Sequence, residues 1–227
     1  MGKLIVIDGL DGSGKSTQSE RVADALRKMG KKVRLIFFPD YDEPSSALVR
    51  MYLAGEFSDD PNDVNAYAAG SFYAVDRYAS FKKFWEKDYE EGTLILATRY
   101  ATSNAIHQMG KLPRENWPEY LAWIEDFEYK KLGLPAPNTV IFLDMYRAVA
   151  DRLLLARYHG DETQKDIHEK NTAYLAHCQE TAHFAAQAWN WNVIQCDDGK
   201  DPRPIEDVTE DIMDVILRAS DSGGKEE

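Results

Sequence analysis

Gly9-Leu10-Asp11-Gly12-Ser13-Gly14-Lys15-Ser16 is the segment of the chain best equipped for chemistry. It fills every position of the pattern G-x-x-x-x-G-K-[S/T], with an apolar run before it and helical spacing after it. Glycines let a backbone wrap a phosphate without Cβ clashes, so successive N–H groups converge on one anion. A helix starting there adds the positive end of its dipole. Lys15 would bridge β- and γ-phosphate oxygens, and Ser16 would hold Mg²⁺. The expected cofactors are ATP and Mg²⁺, contacted by Gly9, Gly12, Ser13, Gly14, Lys15, Ser16 and Thr17, with Ser16 the metal ligand. The plainer alternative is a glycine-rich turn between a strand and a helix; here both the pattern and its setting are satisfied.

Other side chains suit a flat, anionic ligand. Tyr73 and Arg77 are four apart and share a helix face, offset from the apolar stripe of the same segment. A ring beside a guanidinium suits a base carrying carbonyl oxygens; the alternative is an ordinary surface cation–π pair. Arg99 falls just beyond a strand, where a bidentate guanidinium can meet a phosphate; the alternative is a surface salt bridge. Tyr41, Tyr67 and Tyr78 read as packing residues, and His107 as a histidine of a pocket wall or core. His159 and His168 share no metal-ligand spacing with a cysteine, so no structural zinc is expected.

Alternating strands and helices must position these groups. Lys3 to Ile7, Val33 to Phe38, Thr93 to Ala97, Thr139 to Leu143 and Asn192 to Gln195 read as short strands. Helical spacing follows the glycine-rich segment up to Gly30, and recurs from Val64 to Ala79, from Trp117 to Phe127, and from Val208 to Leu217. A long helical stretch runs to about Trp189, broken near His159-Gly160. Short buried strands separated by helices predict an α/β fold: a five-stranded parallel sheet with helices on both faces, three layers in all. Ligands in such folds sit beyond the carboxyl ends of the strands.

The chain has 227 residues, 44% hydrophobic and 29% charged, which suits one α/β domain, expected over residues 1–218. Residues 219–227 (ASDSGGKEE) lack an apolar anchor and read as a disordered tail. A net charge of −12 with no basic patch argues against a nucleic acid polymer as partner. No run approaches a membrane span or a signal peptide. Only two cysteines, Cys178 and Cys196, favour a reducing, cytoplasmic setting.

The extended run Ile7 to Gln18 resembles the thymidylate kinase family, and later segments agree in order and spacing. These are Phe38-Pro39, Phe72-Tyr73 with Arg77, Arg99-Tyr100 with Ser103-Asn104, Gly133-Leu134-Pro135, and Asp144 at the end of the fourth strand. The resemblance implies a P-loop NTPase fold that carries the γ-phosphate of ATP to dTMP, usually as a homodimer. It places Asp11 on the sugar 3′-hydroxyl, Tyr73 on the thymine face, Arg77 on a base carbonyl and Arg99 on the acceptor phosphate. Ser103 and Asn104 would line the base and sugar pocket, with Phe38 and His107 as further wall residues. A short mobile lid, about 157–166, would close over ATP and bring Arg157 as the catalytic cation, with Lys165 and Arg152 next in order.

The chain departs from the family pattern in three places. Thr98-Arg99-Tyr100 stands where the family has Asp-Arg-Tyr. The acidic stretch Asp40-Tyr41-Asp42-Glu43 stands where the family has an arginine reaching the acceptor phosphate. Gly12 occupies a P-loop position that carries the catalytic arginine in some members, which leaves that role to the lid. Two other readings therefore stay open: a deoxynucleoside kinase using Asp8 or Asp11 as base, and a nucleotide-binding protein with reduced or lost turnover.

Overall fold

The structure is a computed structural model, and it describes residues 1–157 and 167–221. Five strands, β1 (Leu4–Gly9), β2 (Val33–Phe37), β3 (Leu94–Thr98), β4 (Thr139–Asp144) and β5 (Asn192–Gln195), form one parallel sheet in the order β2-β3-β1-β4-β5. The helices are α1 (Lys15–Lys28), α2 (Ala47–Leu53), α3 (Ala66–Ser80), α4 (Glu86–Glu90), α5 (Thr102–His107), α6 (Trp117–Ile124), α7 (Arg147–Arg157), α8 (Ile167–Lys170), α9 (Thr172–Ala188) and α10 (Ile205–Asp221). Two π-helical stretches, Phe81–Trp85 and Glu125–Lys131, extend α3 and α6.

The sheet is the middle of three layers, as its apolar strands require. In β1, Leu4 and Val6 join a core with Trp85, Trp117 and Phe142 on one face. Ile5 and Ile7 join Val22, Leu26, Ile194 and Ile212 on the other. Every residue of β1 is buried, which is why it reads as an unbroken apolar run and not as an alternating one. The chain leaves β1 towards β2 on one side and later crosses to β4 on the other. The crevice of this reversal opens beyond β1 and β3.

Several expected boundaries shift. Helix α3 exposes Val75 and Tyr78, which the 3.6-residue spacing had assigned to its buried stripe. The short helices α2 and α5 lack the length for a clear period. Helix α10 starts at Ile205 and continues through Ala219 to Asp221, into the stretch expected to be tail. The remainder of that tail lies outside the described residues. So does the expected lid, apart from the end of α7, together with the Arg157 side chain.

Candidate active site

The P-loop joins β1 to α1 as expected. Gly12 and Gly14 both have φ of 85°, a conformation that L side chains resist. Gly12 has a second constraint: a Cβ there would meet the Ala150 carbonyl oxygen at 2.7 Å. Helix α7 therefore sits directly against the loop, and the position that carries an arginine in some family members has no room for a side chain here. Ser16 and Thr17 are exposed at the start of α1, whereas Ser13 is buried. The Lys15 ammonium lies back on the loop, donating to the Leu10 carbonyl at 2.7 Å and standing 3.6 Å from the Asp11 carboxylate. Burial, with Arg99 nearby, pushes its pKa down to about 8.

Arg99 meets this loop from β3. It is a non-glycine residue at φ 65°, and its N–H donates to the Ile7 carbonyl at 3.1 Å. That turn brings the guanidinium back over the loop, where it pairs with Asp11 and donates from Nη1 to His107 Nε2 at 2.9 Å. A guanidinium can only donate, so Nε2 must hold the lone pair and Nδ1 the proton. Burial and the adjacent Arg99 keep His107 neutral, well below its usual pKa. Burial would raise the Asp11 carboxyl, but Arg99 and Lys15 outweigh it and hold the group far below the usual range. Both side chains keep some solvent access, 17% for Arg99 and 25% for Asp11. An incoming anion can therefore reach Arg99.

One cavity of about 960 Å³ runs from the P-loop past Arg99 to the wall formed by Phe38, Tyr73, Arg77 and Asn104. His107, Ser103 and Thr98 also border it. Tyr73 stands edge-on to Tyr52, with ring centroids 6.4 Å apart. Arg77 is no surface cation: it is 2% exposed and bidentate to Glu128, which is fully buried, with Nε and Nη2 each 2.6 Å from a carboxylate oxygen. Asn104 Nδ2 donates to the same carboxylate at 2.9 Å and to the Gly70 carbonyl at 3.1 Å. Ser103 borders the cavity, but its hydroxyl is committed elsewhere. With Thr102 Oγ1 it donates to Asp8 Oδ2, at 2.7 and 2.6 Å, while the Gly9 N–H reaches Oδ1 at 2.8 Å. Asp8 is thus a fully buried brace between β1 and α5.

The three departures take concrete form. Of the acidic stretch, Tyr41 alone borders the cavity, so this residue is a wall group and not mere packing. Glu43 pairs with Lys83 at 2.5 Å, and Asp40 accepts from Ser80 while its N–H donates to Asp76. The Asp40 and Glu43 carboxylates are thus engaged with α3 and its π-helical extension. Thr98 is buried at the cavity edge, and its Oγ1 has no hydrogen-bond partner among the described residues. Arg152 is held on the loop after β5, by the Lys200 carbonyl and by Asp201 at 3.2 Å.

Glu128 and Thr102 were not among the expected site residues, and Asp8 was expected only as a base in the deoxynucleoside kinase reading. Asp8 lies within the family-like run, but Glu128 gave no local signal. It sits one residue past the apolar period of α6, among other acidic residues.

A polyphosphate loop at a strand–helix turn, facing an arginine from the neighbouring strand across a shared cleft, defines a P-loop phosphotransferase. The thymidylate kinase family model matches residues 7–212, and the chain belongs to the thymidylate kinase family. It is 28% identical over 201 residues to a thymidylate kinase of Mycobacterium tuberculosis, covering 86% of this chain and 92% of that protein. It is 30% identical over 149 residues to the Homo sapiens thymidylate kinase, covering 66% and 64%. The solved thymidylate kinase from Candida albicans shares the fold, with a TM-score of 0.68 at 21% identity over 96% and 92% of the two chains.

Proposed function

We propose that this protein transfers the γ-phosphoryl group of ATP to dTMP, giving dTDP and ADP. The observation that carries the reading is one continuous cavity bordered by the P-loop, by Arg99 and by the Tyr73–Arg77–Asn104 wall. A monophosphate oxygen is already ionised at neutral pH, so the reaction needs no strong base. Alignment and charge neutralisation do most of the work. Lys15 draws charge from the transferring group, and Arg99 offsets repulsion between two anionic substrates. Asp11, next to Arg99, accepts from the sugar hydroxyl, and Tyr73 covers the flat base. The deoxynucleoside kinase reading needs a free carboxylate base. Asp8 is spent on three donors and Asp11 is held by two cations, so both are poorly suited to that role.

The donor set fits Mg²⁺ held largely by substrate phosphates. Ser16 is exposed at the start of α1, and the unpartnered Thr98 hydroxyl can take a metal-bound water. Among the described residues no cluster of three or more His, Cys, Asp or Glu side chains could cage an ion. When bound, the metal would neutralise charge on the transferring group. We further infer a homodimer, for which Val75 and Tyr78 offer exposed apolar surface on α3. A cytoplasmic setting is supported by two buried, unpaired cysteines, and no described helix is long and apolar enough to cross a membrane.

ADP release, measured with each monophosphate and nucleoside in turn, tests the assignment. dTMP should exceed dCMP in kcat/KM by at least about tenfold, since a mismatched buried donor costs about 1–3 kcal/mol. Equal or better turnover of dCMP, or of thymidine, would remove the assignment.

A further inference from the structure

We infer that Glu128 is a positioning residue that sets the hydrogen-bonding polarity of the base pocket. The inference deepens the dTMP reading and rests on it. Glu128 does not line the cavity, yet it holds both polar groups that do so at the base end. Its carboxylate takes Nε and Nη2 of Arg77 and leaves Nη1, the third guanidinium nitrogen. Nη1 makes no hydrogen bond among the described residues, and Arg77 borders the cavity. The open donor therefore belongs to the pocket.

The same carboxylate fixes Asn104. The orientation of an amide is normally ambiguous, because oxygen and nitrogen can exchange places. Here both partners of one end, Glu128 Oε1 and the Gly70 carbonyl, can only accept. That end must be the NH₂ group. Oδ1 is left as the other end, and it has no donor among the described residues. Arg77 comes from α3, Asn104 from α5 and Glu128 from the π-helical stretch after α6. One buried anion thus joins three elements and presents an open donor beside an open acceptor.

This pairing is directional. A ring carbonyl next to a ring N–H satisfies both groups, which is the edge of thymine and uracil. Cytosine offers an amino group beside a bare ring nitrogen, and both contacts become donor to donor or acceptor to acceptor. Guanine shares the favourable edge, so ring size must exclude it. Remove the anion and only the Gly70 carbonyl, at 3.1 Å, still holds the NH₂ end of Asn104, so the amide is kept far less firmly with its oxygen towards the base. The amide can then turn to suit cytosine.

The test compares wild type with Glu128→Gln and Glu128→Asp, reading kcat and KM for dTMP, dCMP and ATP, with thermal unfolding alongside. Glu128→Gln places an NH₂ where a carboxylate oxygen accepted. Glu128→Asp keeps the charge that Arg77 requires but withdraws it by one methylene, so it protects the fold while spoiling the position. We expect the dTMP/dCMP ratio of kcat/KM to fall at least tenfold in both variants, mostly through a higher KM for dTMP, with KM for ATP changed less than threefold. A purely structural role would lower both monophosphates alike and leave the ratio intact, which would overturn the inference. Loss of the fold in both variants would also overturn it, since Glu128 would then serve the fold alone. If the wild-type enzyme itself shows no preference for dTMP over dCMP, the dTMP reading fails first and takes this inference with it. A wild-type preference that survives both substitutions defeats the inference alone.

Discussion

The two arginines of the site lie in opposite electrostatic settings. Arg99 is held by Asp11 and His107, and both members of the Arg99–Asp11 ion pair keep some contact with solvent. Arg77 is sealed against Glu128, with 2% and 0% exposure. An anion can compete for Arg99 because Asp11 remains satisfied by Lys15, 3.6 Å away, when the guanidinium turns. Nothing can compete for Arg77 without stranding a buried carboxylate. The phosphate end therefore keeps a cation in reserve, while the base end spends its charge internally and shows the ligand a direction. Rate should depend on the first arrangement and selectivity on the second.

The largest effect should come from breaking the phosphate end. Lys15→Ala is expected to lower kcat by at least about a thousandfold, roughly 4 kcal/mol of transition-state stabilisation. Lys15 contacts the loop and not the core clusters. Its loss should therefore move Tm by less than about 3 °C, and ADP production with calorimetry on the same sample reads both. Near-normal turnover would remove the P-loop from the mechanism altogether.

A matched pair of substitutions sharpens the contrast. Arg77→Met leaves Glu128 buried without its counter-ion, which should cost about 3–5 kcal/mol of stability. Arg99→Met leaves Asp11 with Lys15 and some solvent but takes a donor from His107, and should cost about 1–2 kcal/mol. Urea unfolding of the two variants measures the difference. Equal losses would mean that the two ion pairs do the same job, and the division between rate and selectivity would have to go.

How far the sequence foretold this contrast depends on the span of chain involved. The P-loop is a local device: glycine, lysine and hydroxyl at fixed offsets on a strand–helix turn carry their own explanation. The strands are legible for a similar reason, since burial on both faces leaves runs such as Leu4 to Ile7 without polar interruption. Arg77 could be placed on a helix face beside Tyr73, but its partner is 51 residues further on. Spacing says nothing about such a pair. The acidic stretch misled in the same way, because the Lys83 counter-ion of Glu43 and the hydrogen bonds of Asp40 with Ser80 and Asp76 arise on packing against α3 and its π-helical extension. Ser103 was expected to line the base and sugar pocket, and it borders the cavity. That its hydroxyl would be taken by Asp8 could be known only once β1 and α5 were side by side.

The smallest expected effect is at Thr98, where the family pattern carries an aspartate. Thr98 ends β3 in register with Ile7, immediately before the turn made by Arg99. Its hydroxyl is buried, unpartnered and at the cavity edge. A hydroxyl can hold a water but brings no charge, whereas a carboxylate would attract the metal's water shell and steady Arg99. Thr98→Asp should therefore raise kcat with dTMP by about tenfold, roughly 1.4 kcal/mol. The same carboxylate would lie in a buried position near Asp8 and Asp11 when no nucleotide is bound, so the free protein should become less stable. The two effects have opposite signs and separate readouts: steady-state kinetics for the first, thermal unfolding with and without ATP and Mg²⁺ for the second. A stability loss that ATP and Mg²⁺ recover, together with a higher kcat, would place the missing charge at the phosphate end. If kcat is unchanged or lower while the fold survives, Thr98 is an adapted part of the site. The open phosphate end would then work without the carboxylate, and the contrast with the sealed base wall would be sharper still.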